Sequence, residues 1–112
     1  MTRLAFVCAV ALAACAVDNH YSVRLAARKV ASAQCAKLQE CTSAFALKWG
    51  EGPEAVDACT TTVENAVVAK LGKDREPDPC TSAELDTCVR DTSAMTCDEL
   101  NAEKAPGSCG GC

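Results

Sequence analysis

Ten cysteines in 112 residues give this chain most of its chemistry, and their positions separate several kinds of it. The first is lipidation. Leu12-Ala13-Ala14-Cys15 closes an apolar run and matches, at all four positions, the Leu-small-small-Cys box at which bacterial lipoprotein signals are cut. The Cys15 thiol is the nucleophile that would take up a diacylglyceryl group, and the small residues before it let the backbone lie extended in a peptidase cleft. Ahead of the box, Met1-Thr2-Arg3 carries one positive charge and Leu4 to Ala14 is uncharged. That is the n-region and h-region of a secretory signal, too short for a bilayer span of about 20 apolar residues. The expectation is a signal peptide over 1–14 and a mature chain held to the membrane by a lipid on Cys15. Ala16 stands where Asp would favour inner-membrane retention, which points to an outer-membrane lipoprotein. The alternative is an ordinary A-x-A site at Ala14-Cys15-Ala16 and a secreted ligand, inhibitor or effector-like protein without lipid.

The second chemistry is cross-linking. Cleavage removes Cys8 and acylation caps Cys15, which leaves eight of the ten cysteines: Cys35, Cys41, Cys59, Cys80, Cys88, Cys97, Cys109 and Cys112. An even number in a small exported chain reads as a disulfide framework. The composition requires one. Aromatic residues make up 4% of the chain, and alanine fills the helical segments. Alanine favours helix but buries little area, and small domains with thin cores are marginal without staples.

Other cysteine chemistry finds less support. Structural zinc sites pair two C-x-x-C knuckles or add histidines; here Cys109-Gly110-Gly111-Cys112 has that spacing, while Cys35/Cys41 and Cys80/Cys88 do not. C-G-G-C is also a redox spacing, but an active dithiol sits at a helix N-terminus that lowers the first thiol's pKa, and this one ends the chain with no βαβ pattern around it. Thiol-disulfide exchange by Cys109 and Cys112 is therefore a distant alternative. His20 is the sole histidine and falls in a linker, and neither G-x-S-x-G nor H-E-x-x-H is present. The carboxylates Glu51, Glu54 and Asp57, and Asp74, Glu76 and Asp78, read as helix starts and solvated loop. The expectation is a protein that is not an enzyme and takes no cofactor and no metal. The net charge of −4 becomes −5 when Arg3 leaves with the signal, which argues against nucleic acid as a partner; a protein of the envelope is the partner class left open.

The elements that carry these cysteines are helical. Residues 15–24 read as a tether and 25–112 as the cysteine-rich domain. A first helix is expected from about Val23 to Lys48, with an apolar stripe at Val30/Ala31, Cys35, Leu38, Cys41, Phe45 and Trp49. Gly50-Glu51-Gly52 breaks it. Pro53 suits the first position of a second helix, whose stripe is Val56, Cys59, Val63, Val67 and Lys70/Leu71 and whose C′ cap is Gly72. These two form an αα-hairpin. After the loop Lys73–Pro79, Thr81-Ser82-Ala83-Glu84 is a capping box for a short helix to about Asp91, and Thr96-Cys97-Asp98-Glu99 repeats it before Pro106. The fold class is all-α: a disulfide-stapled αα-hairpin plus two short helices after a signal peptide.

From Cys35 to its end the chain resembles the small cysteine-rich exported lipoproteins of myxobacteria and related delta-type bacteria. The residues that carry the likeness are Cys35-x5-Cys41, Phe45, Trp49-Gly50-Glu51, Cys59, Cys80, Glu84-Leu85-Asp86-Thr87-Cys88, Cys97 after Thr96, and Cys109 after Pro106-Gly107-Ser108. Thr42-Ser43-Ala44 replaces the aromatic pair usual after the second cysteine. The resemblance implies export and a helical disulfide architecture and transfers no catalytic residue. The twin C-x9-C hairpins of mitochondria are less similar, since no cysteine pair here has that spacing.

A hairpin turning at Gly50 places Cys41 nine residues before the turn and Cys59 nine after, level with each other at equal rise. Both lie on the expected stripes, so Cys41–Cys59 is the expected bridge. Cys35 is then left for the C-terminal half, with Cys88 as its expected partner.

Overall fold

A computed structural model describes residues 20–110; the signal segment, Cys15 and Cys112 lie outside the described residues. Five α-helices follow one another, and no strand occurs among the described residues: α1 (Val23–Cys41), α2 (Ala44–Trp49), α3 (Pro53–Leu71), α4 (Ser82–Ser93) and α5 (Cys97–Asn101), with a closing 3₁₀ turn (Gly107–Cys109). The all-α, disulfide-stapled architecture expected from the sequence is the one observed.

Local chemistry sets the helix ends. Ser22 caps α1, its Oγ accepting from Leu25 N–H at 3.2 Å. Pro53 opens α3, and Gly72 closes it in the left-handed conformation (φ 69°), donating to Val68 O. Thr81 and Thr96 form complete capping boxes with Glu84 and Glu99. The first helix is shorter than expected. Thr42 turns extended (φ −139°, ψ 130°), and its hydroxyl accepts from Ala44 N–H at 3.2 Å. A Thr-Ser pair offers the backbone this local alternative to helix, so the chain restarts as α2 instead of running on to Lys48.

α1 is the central element. α3 and α4 each pack along it and do not pack on each other. One apolar cluster joins Cys35, Phe45, Ala55 and Cys59, with Leu38, Trp49, Val56 and Val63 around it. The other joins Ala26, Cys80 and Leu85, with Tyr21, Val30 and Val89. Of the eight fully buried larger side chains, four are cysteines: Cys35, Cys59, Cys80 and Cys88. Disulfide sulfur thus takes the place of the missing aromatic core.

The bridges are Cys35–Cys59, Cys41–Cys97 and Cys88–Cys109, and Cys80 is disulfide-bonded as well. Neither Cys41–Cys59 nor Cys35–Cys88 forms. The expected register assumed one unbroken helix up to Gly50, but α1 ends at Cys41, and the insertion of α2 moves the level positions of the hairpin towards the N-terminus. In the chain-entropy picture, closing separations of 24, 56 and 21 residues stabilises the fold by about 3–4 kcal/mol per bridge.

Residues 20–24 belong to the folded body and not to a tether. Ser22 pairs with Pro77 in an isolated antiparallel bridge, Val23 N–H donates to Glu76 O at 2.8 Å, and Asp78 N–H donates to Tyr21 O at 2.7 Å. Val23 is 1% exposed.

Candidate functional site

Because α3 and α4 flank α1 without meeting, α1 floors an open groove between them, with a cavity of about 210 Å³. Ala27, Val30 and Gln34 line its floor; Val63, Val67 and Leu71 form one wall, and the Cys88–Cys109 bridge lies on the other. The wall on α3 is the row that periodicity assigned to the core. The buried residues of α3 are instead Ala55, Cys59, Thr60, Glu64 and Val68. Small residues at 55, 59 and 60 let α3 approach α1 closely, and the larger apolar row is left along the opening, with Leu71 48% exposed.

The cost of that rotation is a buried carboxylate. Glu64 is 6% exposed. Arg28 Nη1 donates to its Oε2 at 2.8 Å and Arg24 Nη1 to its Oε1 at 3.2 Å. Arg24 also reaches Asn65 Oδ1 at 2.9 Å and Asp74 at 3.6 Å. Burial pushes the Glu64 carboxyl up, but the hydrogen bonds and charges of the two guanidiniums outweigh it and hold the group below its ordinary value. This cluster locks α3 to α1. The sequence signal was the i, i+4 row Thr60-Glu64-Val68 beside the apolar stripe, with Arg24 and Arg28 also four apart.

The residues considered for chemistry fall in separate places. His20 is exposed, and its Nδ1 donates to Asp78 O at 2.8 Å, pinning the segment just ahead of α1 to the loop before α4. Asp78 is buried at 7% exposure, not solvated as the loop's composition suggested, and its Oδ1 accepts from Cys80 N–H at 3.0 Å. Its groove-facing carboxylate is thus engaged in holding the loop. Glu51, Glu54 and Asp57 are exposed.

Cys109 is joined to Cys88, so its sulfur is not paired within the C-G-G-C segment. Ser108 Oγ donates to Asp91 Oδ2 at 2.7 Å and fixes the 3₁₀ turn to α4. Among the described residues no three His, Cys, Asp or Glu side chains gather as a metal would require, and no helix is long and apolar enough to cross a membrane.

The groove is therefore an apolar opening whose polar margins, Gln34 and Asp78, are few. Its volume falls below the about 300–1,000 Å³ of ordinary small-molecule sites, and it has room for one or two aliphatic side chains. Comparison of the chain with protein-family models, with curated proteins and with solved structures finds no match.

Proposed function

We propose that the protein is a lipid-anchored module of the cell envelope, attached to the outer membrane through Cys15 and acting by contact as a structural or interaction component. The observation that carries the contact reading is the groove along α1, which is open, apolar and too small for a cofactor. The anchor reading rests on the Leu12–Cys15 box behind its short apolar run. The disulfides support an oxidising compartment, and the likeness to small cysteine-rich exported lipoproteins supports the same placement. His20, five positions after Cys15, is already docked on the body, so an anchored protein would stand close against the membrane surface.

Fractionation of cells making the full-length protein tests this. The wild type is expected in the outer membrane with a mature mass that includes three acyl or two acyl chains on Cys15, and Cys15→Ser is expected to leave the membrane or remain unprocessed. A mature terminus other than Cys15, or a Cys15→Ser protein with unchanged membrane fraction, overturns the anchor in favour of plain secretion.

A further inference from the structure

The three described bridges and the bonded Cys80 differ in how deeply they lie. Cys35 and Cys59 are 0% and 2% exposed, Cys80 is 2% exposed, and Cys88 is 0% exposed beside its half-buried partner Cys109. Cys41–Cys97 alone among the bridges with both partners described has two half-buried ends. It is also the one that holds the segment with the fewest other attachments. α5 packs on α1 and on no other helix, and none of its residues is buried. The chain on either side, from Ala94 to Ala105, is exposed except at Met95, Cys97 and Leu100, which are half-buried.

The base of this segment is secured separately. α4 is held to α1 by Leu85 and Ala26 in one apolar cluster, and the return of the chain at residues 107–109 is tied to α4 by Cys88–Cys109 and by Ser108 on Asp91. Residues 94–106 thus form a loop closed at its base by one bridge and fastened to the end of α1 by another, at Cys97 near its start. The second bridge belongs to neither core cluster.

We propose that Cys41–Cys97 is a thiol-labile latch, opened by a protein dithiol of the envelope while the remaining bridges stay closed. One thiolate of the donor attacks a sulfur of the bridge, forms a mixed disulfide and releases the other cysteine as a thiolate. The donor's second thiol then displaces the first cysteine. Two electrons and two protons pass from the donor to the bridge, giving Cys41 and Cys97 as thiols and the donor as a disulfide. Access selects the bridge, because attack requires the incoming sulfur to reach the S–S bond: Cys35–Cys59 is buried at both ends and Cys88–Cys109 at Cys88, whereas Cys41–Cys97 is half-buried at both. The released loop 94–106 loses α5's contact with α1 and uncovers the C-terminal turn of α1 around Cys41.

The test uses the folded mature protein and dithiothreitol as the dithiol. Graded reduction without denaturant is quenched with iodoacetamide and mapped by peptide mass. Cys41 and Cys97 are expected to be alkylated at a lower dithiothreitol concentration than any other cysteine, with helicity by circular dichroism retained. Trypsin cleavage after Lys104, which lies in the loop, should then accelerate about tenfold or more, as expected when a local opening no longer opposes the cut. The Cys41→Ser/Cys97→Ser variant should show the fast cleavage with no reductant; if it does not fold, the partially reduced wild type carries the test. Alkylation of any other cysteine at the same concentration as Cys41 and Cys97, loss of helicity with the first bridge, or an unchanged Lys104 cleavage rate overturns the latch.

Discussion

Cys35 and Cys59 stand level across the α1–α3 hairpin, their Cα atoms 5.9 Å apart. Each lies six residues from its end of the hairpin, Cys35 before the last residue of α1, Cys41, and Cys59 after the first residue of α3, Pro53. Equal rise along two antiparallel helices places such positions opposite each other. Gln39 Nε2 donating to Gly52 O at 2.8 Å closes the same register nearer the tip. Cys41, at the very end of α1, is past the paired stretch and reaches α5 instead.

Peptide mapping of the unreduced protein should accordingly return Cys35 linked to Cys59, Cys41 to Cys97 and Cys88 to Cys109. Cys80 is bonded too and should appear in a linked peptide of its own. Alkylation of the denatured, unreduced mature chain should label no cysteine. A peptide linking Cys41 to Cys59 would restore the unbroken-helix register and contradict the break at Thr42.

The Glu64 cluster predicts an asymmetry between its members. Removing both arginines leaves a carboxylate that is 6% exposed without a partner, whereas removing the acid leaves two guanidiniums that are 41% and 45% exposed and can take up water. Breaking a fully buried pair costs about 3–5 kcal/mol. With the arginines half-exposed, Arg24→Ala/Arg28→Ala should lose about 2–3 kcal/mol, and Glu64→Gln, which keeps the shape and a carbonyl acceptor, about 1 kcal/mol. Urea unfolding of the three proteins measures the order; a Glu64→Gln loss equal to or above that of the double arginine variant contradicts it.

Sequence legibility follows from which forces are local. The cap at Gly72, the Pro53 start and the boxes at Thr81 and Thr96 are each settled by a few adjacent side chains, and all are found where the residues place them. The bridges are not local. Their register hangs on Thr42-Ser43, where a hydroxyl competes with helix continuation, and a two-residue break there redirects Cys35 and Cys41 to different partners. The groove was hidden for a related reason. Periodicity marks Val63, Val67 and Leu71 as apolar but carries no information on whether a neighbour covers them, and the acid that α1 prefers to bury, Glu64, counts against burial unless Arg24 and Arg28 are already known to face it.

Acid should destabilise the fold through Glu64 and Glu84, and should fray α5 through Glu99. Glu64 is held below 4.5 by Arg28 and Arg24 against the opposing effect of burial. Glu84 and Glu99 are lowered by the backbone N–H groups of Thr81 and Thr96 and by the hydroxyls of the same residues. A group whose folded pKa is depressed contributes its stability above the unfolded pKa and loses it as pH falls through the folded one. Stability measured by urea should therefore be level from neutral pH to about 5 and fall below about 4.5. In Glu64→Gln the fall should be shallower, and a curve identical to that of the wild type would remove Glu64 from the account.

The two capping boxes have the same chemistry but different mechanical connections, and that predicts different consequences for the same substitution. Thr81 Oγ1 accepts from Glu84 N–H at 3.2 Å, and Thr96 Oγ1 accepts from Glu99 N–H at 3.2 Å. α4 is wedged into the body by Leu85 and Cys88, both 0% exposed, so its first turn cannot open without disturbing the core. Thr81→Ala should therefore lower global stability by about 1 kcal/mol, the usual cost of a lost N-cap. α5 has no buried residue and is fastened by one bridge, so its first turn can fray while everything else stays folded. Thr96→Ala should leave the urea midpoint within experimental error and show itself as faster amide exchange at Glu99 and Leu100. Equal shifts of the midpoint in the two variants would mean that α5 is part of the cooperative core, which would also weaken the case for a loop that Cys41–Cys97 can release on its own.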